Sequence, residues 1–538
     1  MSDRLKVIVY YFIGVVIIMS CAKRGSISGG EKDITPPKFT KATPPNYSTN
    51  FDKREIRIYF DEYITLKDAQ KQVIISPPMN PQPTITPLGG ASKYVKIEFQ
   101  DSLLENTTYS INFGESVVDN NESNPLPFFK YVFSTGNYLD SLSIKGNITD
   151  ALSKVPDSYI TVALYEIDEE YSDSIIYKDV PRYITSTLDT VGFELSNLKA
   201  GSYKLVALKD ASVNYTYEPK QDKIGFYERL VELPADTSAF FEFPIFKEEL
   251  EFRAIKPKQT SKNSFDFGYE GVRDSMRIKI LSDTPEGFQS RIVAQKERDT
   301  LQYWFKPFFE ADSLIFEVAN GKYYKDTIVA RFKDQYKDSL NITTLSKGNL
   351  PLNENFRLRS NTPVETFNDS LVRLFDKDTL LVPFSSKIDR FNNEIEIDFE
   401  KTENNAYTLE ILPEAITDFI ENKNDSLSFK FRTKKLADYG KVFLTLQNVK
   451  QYPVIAQLTN DKGEVLSERI VTNEKTIVFD YLDPAKYSLR VILDDNKNGK
   501  WDTGNYLKQL KPERIIYYPE VIEVRANWEL KQTFVLKD

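Results

Sequence analysis

A chain of 538 residues, 41% apolar and 13% aromatic, exceeds one ordinary domain of about 100 to 200 residues and carries apolar surface for several cores. Its net charge of -9 argues against a nucleic-acid partner, because phosphate binding needs clustered Lys and Arg. The count of zero His excludes Ser-His-Asp and Cys-His catalysis and His-ligated zinc, and the single Cys excludes an intramolecular disulfide and a Cys-rich zinc site.

Residues 1–20 read as an export signal, with Arg4 and Lys6 ahead of the apolar stretch Val7 to Met19, and Ser20 ahead of Cys21. The stretch is shorter than the ~20 residues of a spanning helix, so cleavage before Cys21 is expected. Residues 21–38 hold Gly25, Gly29, Gly30, Pro36 and Pro37 among charges, the composition of a flexible tether. Ile18-Met19-Ser20-Cys21 resembles the lipobox of bacterial lipoproteins, with Ile where Leu is usual. That resemblance implies a diacylglyceryl group on the Cys21 sulfur, palmitate among its acyl chains, and a membrane partner through this anchor. The alternative is a buried Cys ending a signal anchor. Ala22 fits outer-membrane sorting by analogy with other lipoproteins. The basic run Ala22-Lys23-Arg24-Gly25 lacks the acidic residues of surface-exported lipoproteins of Bacteroidota, so the periplasmic and cell-surface faces both stay open.

Tyr (31) and Phe (36) together outnumber Gly (21) and Pro (27), and aromatic side chains favour the pleated surface of strands. Residues 39–137 alternate short β-type runs such as Glu55 to Phe60 and Tyr94 to Phe99 with turn signals, the rhythm of a sandwich. Pro44-Pro45-Asn46, Ile58 to Glu62, Leu104 to Tyr109, Val118 to Asn121 and Phe133 to Gly136 together resemble the bacterial Ig-like domain of S-layer proteins. Residues 138–246 run from Ile144-Lys145-Gly146-Asn147-Ile148 to Gly192 through Tyr203 and resemble the transthyretin-like or carboxypeptidase-regulatory-like sandwich. Residues 247–345 keep the β pattern in Met276 to Leu281, Tyr303-Trp304-Phe305 and Leu314 to Val318, which predicts a further β-rich domain.

The landmarks then return. Glu105, Asn106, Tyr109, Phe133 and Thr135 are matched at one constant offset by Glu403, Asn404, Tyr407, Phe431 and Thr433, which predicts a second Ig-like domain over 346–435. Leu198, Tyr203, Leu205 and Asp210 are matched at another by Leu482, Tyr487, Leu489 and Asp494, which predicts a second transthyretin-like domain over 440–538. The charged run Lys434 to Asp438 reads as the linker between these two. The expected fold class is all-β: tandem sandwiches with few helices behind a lipidated N-terminal tether.

One motif has the look of a site. Asp494-Asp495-Asn496-Lys497-Asn498-Gly499-Lys500-Trp501-Asp502 fits the spacing of calcium loops, in which alternate oxygens point inward and Gly allows the turn. Asp494, Asn496, Asn498 and Asp502 are the candidate Ca²⁺ ligands. The competing reading is a polar hairpin turn in which Asp and Asn bond their own backbone. The related loop Asp210 to Glu218 keeps oxygen-bearing residues but lacks the Gly. No cofactor is required, and no residue is assigned a catalytic role.

The whole resembles the Ig-like lipoproteins of the Bacteroidota outer membrane. That resemblance implies a non-enzymatic scaffold or accessory subunit of an envelope complex, for example one for outer-membrane protein assembly or transport. The alternative is a surface adhesin or glycan-binding protein, which predicts an exposed aromatic platform; Trp304, Trp501 and Trp528 could stack on sugars, although a core position is the favoured reading for each.

Overall fold

The computed structural model describes residues 33–538 apart from Lys296, Asp334, Lys347 and Asp538. The signal segment, Cys21 and most of the tether lie outside the described residues. The protein is all-β: among the described residues the only α-helix is the single turn Ala69–Gln72, with 3₁₀ turns at Asp173–Tyr177, Asp369–Leu371 and Leu436–Asp438. The expected linker Lys434 to Asp438 holds the last of these turns, and Lys434 pairs with Asp483 at 2.5 Å.

The chain divides into two compact units, one ending at Ser143 and adding Ser196–Lys199, the other made of the remainder. In the first, the strand Glu55–Leu66 buries Ile56, Ile58, Phe60 and Ile64 on one face, as period-two patterning requires. It pairs with Phe39–Thr43, Ser92–Glu98 and Val117–Asp119. The sheet Ile74–Ser76, Thr108–Asn112, Lys130–Ser134 supplies Tyr109, Ile111 and Phe133 to the same core.

Four groups of strands make the second unit. Thr161–Glu166 and Gly201–Lys209 are central in one sheet, and Phe240–Ile245 runs parallel to Leu142–Asp150 in another. Val454–Thr459 and Ala485–Leu493 are central in the sheet of the last group, where Glu529–Val535 runs parallel to Gly440–Gln447. Strand order and the parallel closure of first strand on last are the same in both groups.

Between them, Ser264–Glu270 and Thr300–Lys306 face Ser313–Asn320 across an aromatic core of Phe265, Phe267, Tyr303, Phe305 and Phe316. The fourth group centres on Glu394–Phe399 and Ala406–Ile411. One strand crosses a boundary drawn from sequence: Ile342–Thr344 pairs with Phe356–Ser360, and Ile342 packs with Leu358. It therefore sides with the span that begins at 346 and not with 247–345, because its apolar residue belongs to that core.

The two Ig-like landmark sets perform the same local tasks. Tyr109 Oη accepts from Leu104 N at 2.9 Å, and Tyr407 Oη accepts from Thr402 N at 2.9 Å, each tying a corner to its strand. Thr135 Oγ1 accepts from Thr107 N and donates to the Leu104 carbonyl, as Thr433 Oγ1 does with Asn405 N and the Thr402 carbonyl. Asn106 and Asn404 both take left-handed backbone, φ 48° and 53°. Tyr109 stacks on Phe133, and Tyr407 on Phe431.

Candidate functional site

The strand Ala485–Leu493 delivers Asp494 into a buried position, 1% exposed. Its carboxylate closes the loop, accepting from Asn498 N at 3.0 Å and Gly499 N at 2.9 Å. Lys497 and Gly499 take positive φ, 64° and 78°, and so turn those N–H groups inward. Asp502 lies across the loop, where Asn496 Nδ2 and Asn498 Nδ2 donate to its Oδ2 at 2.6 and 2.5 Å and Lys500 Nζ pairs with its Oδ1 at 3.3 Å. Burial works to raise the Asp502 carboxyl, and the hydrogen bonds from Asn496, Asn498 and Lys500 outweigh it, holding the group below the usual carboxylate range.

Glu513 completes the loop and carries no signal in the motif. Its Oε1 accepts from Asp495 N at 2.8 Å and its Oε2 from Asp502 N at 3.1 Å, while Trp501 Nε1 donates to its carbonyl at 2.9 Å. Burial pushes the Glu513 carboxyl up despite the backbone hydrogen bonds it accepts.

Of the four residues predicted as ligands, Asn496, Asn498 and Asp502 thus meet one another, while Asp494 spends both oxygens on backbone N–H groups. As folded, the amides present hydrogens to Asp502, so a cation at that point requires both Asn side chains to turn their oxygens inward. Among the described residues no group of three or more Asp, Glu, Cys or His side chains is placed to hold a metal.

The related loop is built to the same plan. Asp210 Oδ2 accepts from Tyr215 N at 2.7 Å, five residues on, as Asp494 accepts from Gly499. Val213 and Tyr215 take positive φ, 55° and 62°, at the positions of Lys497 and Gly499. Asp222 accepts from Ala211 N at 2.9 Å and Glu218 N at 2.8 Å, the tasks of Glu513 toward Asp495 and Asp502.

The segment after the Asp494 loop docks onto the group of strands that holds the related loop and onto the residues that follow it. Tyr506, fully buried, donates its backbone N–H to Glu248 Oε1, and Tyr217 Oη donates to Glu248 Oε2 at 3.0 Å. Burial, then the charge of Glu248, pushes the Tyr217 phenol up and keeps it a donor. Thr503 Oγ1 donates to the Lys247 carbonyl at 2.6 Å, and Lys204 Nζ to Gln509 Oε1 at 3.0 Å. The Tyr506 ring meets Phe226 edge-on at 5.5 Å. Gly504 allows this approach, since a Cβ there would stand 2.5 Å from Phe246 Cζ and 2.7 Å from the Leu510 carbonyl oxygen.

The contact continues over the neighbouring sheet. Arg490 donates from Nη1 to the Leu152 carbonyl at 3.1 Å and from Nε to Gln457 Oε1 at 2.7 Å. Val454, Ala456 and Leu458 face their own core, yet every residue of Val454–Thr459 is buried. On its other face Gln457 is covered by Arg490, the side chain that reaches Leu152.

Trp304, 2% exposed, packs with Val293, Phe419 and Ile420. Trp501 is tied to Glu513, and Trp528 is half-exposed beneath Arg525. The described tryptophans therefore form no shared platform.

Residues 33–135 match the family described as the bacterial Ig-like domain. No curated protein matches the chain in sequence. Among solved structures, the S-layer protein SbsC is similar over 88% of this chain and 67% of its own, at 10% identity and a TM-score of 0.17. The SGBP-B protein of a Bacteroides ovatus mixed-linkage glucan utilization locus, solved with a heptasaccharide, is similar over 72% of this chain and 91% of its own, at 12% identity and 0.19. The BSP domain of a biofilm associated protein is similar over 88% and 96%, at 8% identity and 0.15.

Proposed function

We propose that this chain is a non-enzymatic, lipid-anchored scaffold of the bacterial outer membrane, whose β-sandwiches hold their surfaces in fixed relation for an envelope protein complex. The observation that carries the reading is the interlock of Glu248 with the Tyr506 backbone across 258 positions of chain. Modules strung loosely have no use for it. Docking two of them removes their relative freedom in advance, so a partner binds without bearing that ordering cost. Anchoring rests on Cys21, the only Cys, following an apolar segment and preceding a Gly- and Pro-containing tether. The zero His count supports a binding role over catalysis.

The test is fractionation of cells expressing the full chain or its Cys21→Ser variant, fed labelled palmitate. Label on the parent chain alone, with the variant released or left as an uncleaved precursor, is expected. An unlabelled parent chain, or a variant processed and retained as before, would overturn the anchoring.

A further inference from the structure

A cleft of about 430 Å³ with both polar and apolar lining opens between the β-rich span that follows residue 247 and the span that begins at 346. Its size falls in the ~300–1,000 Å³ range of small-molecule sites. Two buried polar atoms of its lining residues have no hydrogen-bond partner: Trp304 Nε1 and Asp338 Oδ2. A buried donor and a buried carboxylate oxygen left unsatisfied are both costly, so each calls for a ligand atom or an ordered water. The Trp304 ring is held in place by Phe419 and Ile420, which fixes where its N–H lies.

The chemistry around these atoms selects the ligand. Arg298 and Arg359 balance Glu297 and Asp338, and Arg359 is already engaged by Glu394 at 2.9 Å and Glu297 at 3.4 Å. What remains of the lining is mostly hydroxyl and amide groups, Gln295 among them, with Ser261 held by Ser264 at 2.7 Å and Asn361 by Asn341 N and the Ser339 carbonyl. An anion or a cation gains little there. A ligand made of uncharged hydroxyl groups offers both an acceptor for an indole N–H and a donor for a carboxylate.

We propose that this cleft binds a short neutral oligosaccharide, with Trp304 Nε1 donating to one sugar oxygen, Asp338 Oδ2 accepting from a hydroxyl, and the exposed Tyr336 ring on the lining covering a sugar face. The site goes beyond the scaffold reading and does not depend on the anchor.

The test is calorimetric titration of the purified full chain with cellotriose, maltotriose, mannotriose and chitotriose, in a detergent without a sugar headgroup. Binding of at least one sugar is expected, weakened about tenfold by Trp304→Phe and again by Asp338→Asn, as loss of one hydrogen bond implies. Trp304→Phe keeps an aromatic core residue, and Asp338→Asn keeps the shape at a partly exposed position, so the second variant reports even where the first destabilises the fold. No heat with any of the four sugars would overturn the proposal and leave water as the partner of both atoms. Sugar binding unchanged in both variants, or heat from neutral tripeptides in place of sugars, would overturn it as well.

Discussion

Tyr215 and Gly499 take the same left-handed backbone, φ 62° and 78°, and each donates its N–H to the Asp five residues earlier, Asp210 or Asp494. The Asp is therefore a loop-closing residue in both copies. Asp494→Ala would leave two inward N–H groups without their acceptor and should destabilise by about 1–3 kcal/mol. Gly499→Ala should cost only about 1 kcal/mol, because Tyr215 already shows that a side chain is tolerated on this backbone and the nearest neighbour of a new Cβ is the movable Ile470 Cδ1 at 3.2 Å. Denaturant unfolding of the two variants gives the order; Gly499→Ala being the more damaging would contradict it.

The depressed Asp502 carboxyl has a pH consequence. A carboxylate held below its ordinary 3.8 in the fold contributes stability above that value and loses it as pH falls through the lowered one. Asn496→Ala with Asn498→Ala should move the Asp502 titration upward, readable by carbon-detected NMR. An unmoved titration would show that the amides do not set it.

Calcium would distinguish a metal site from a polar turn in the same loop. If it binds, Asn496 and Asn498 must rotate, and amide exchange over 494–502 should slow, with about 2.7 kcal/mol of added local protection at a hundred times the dissociation constant. Asp502→Ala should abolish that slowing. Equal exchange in calcium and in chelator would leave the segment a polar turn.

In the Ig-like copies, Tyr109→Phe and Tyr407→Phe each remove one hydrogen-bond acceptor at a corresponding corner. Each should cost about 1 kcal/mol, with stacking on Phe133 or Phe431 retained. Thermal unfolding of the full chain checks both, and a loss confined to one variant would mean that the corners are not equivalent.

The repeated architecture was legible because its signals are local. Tyr109 with Thr135 and Tyr407 with Thr433 sit at fixed distances within short stretches, and Leu198 to Asp210 reappears without a gap as Leu482 to Asp494. Glu513 was not legible, since its place in the loop is filled in the other copy by Asp222, with a different number of intervening residues. Docking left one trace: Val-Ile-Ala-Gln-Leu-Thr at 454–459 does not alternate, as befits a strand buried on both faces. Where the two copies meet is a tertiary matter, because pairs such as Glu248 with Tyr506 and Leu152 with Arg490 share no local pattern.

On the proposed reading a docked pair presents fixed surfaces to an envelope complex, and Gly504 lies where the two copies approach most tightly, against Phe246 of the other copy and Leu510 of its own segment. Gly504→Val forces a Cβ against Phe246 and the Leu510 carbonyl, at a cost of about 1–3 kcal/mol or more. The direct measurement is affinity purification of the full chain and of Gly504→Val from gently solubilised native membranes, with co-purifying proteins quantified by mass spectrometry. A reproducible, stoichiometric set of outer-membrane proteins is expected with the parent chain, depleted in the variant at equal chain abundance. A parent chain that purifies alone, or a set retained unchanged by Gly504→Val, would contradict that reading.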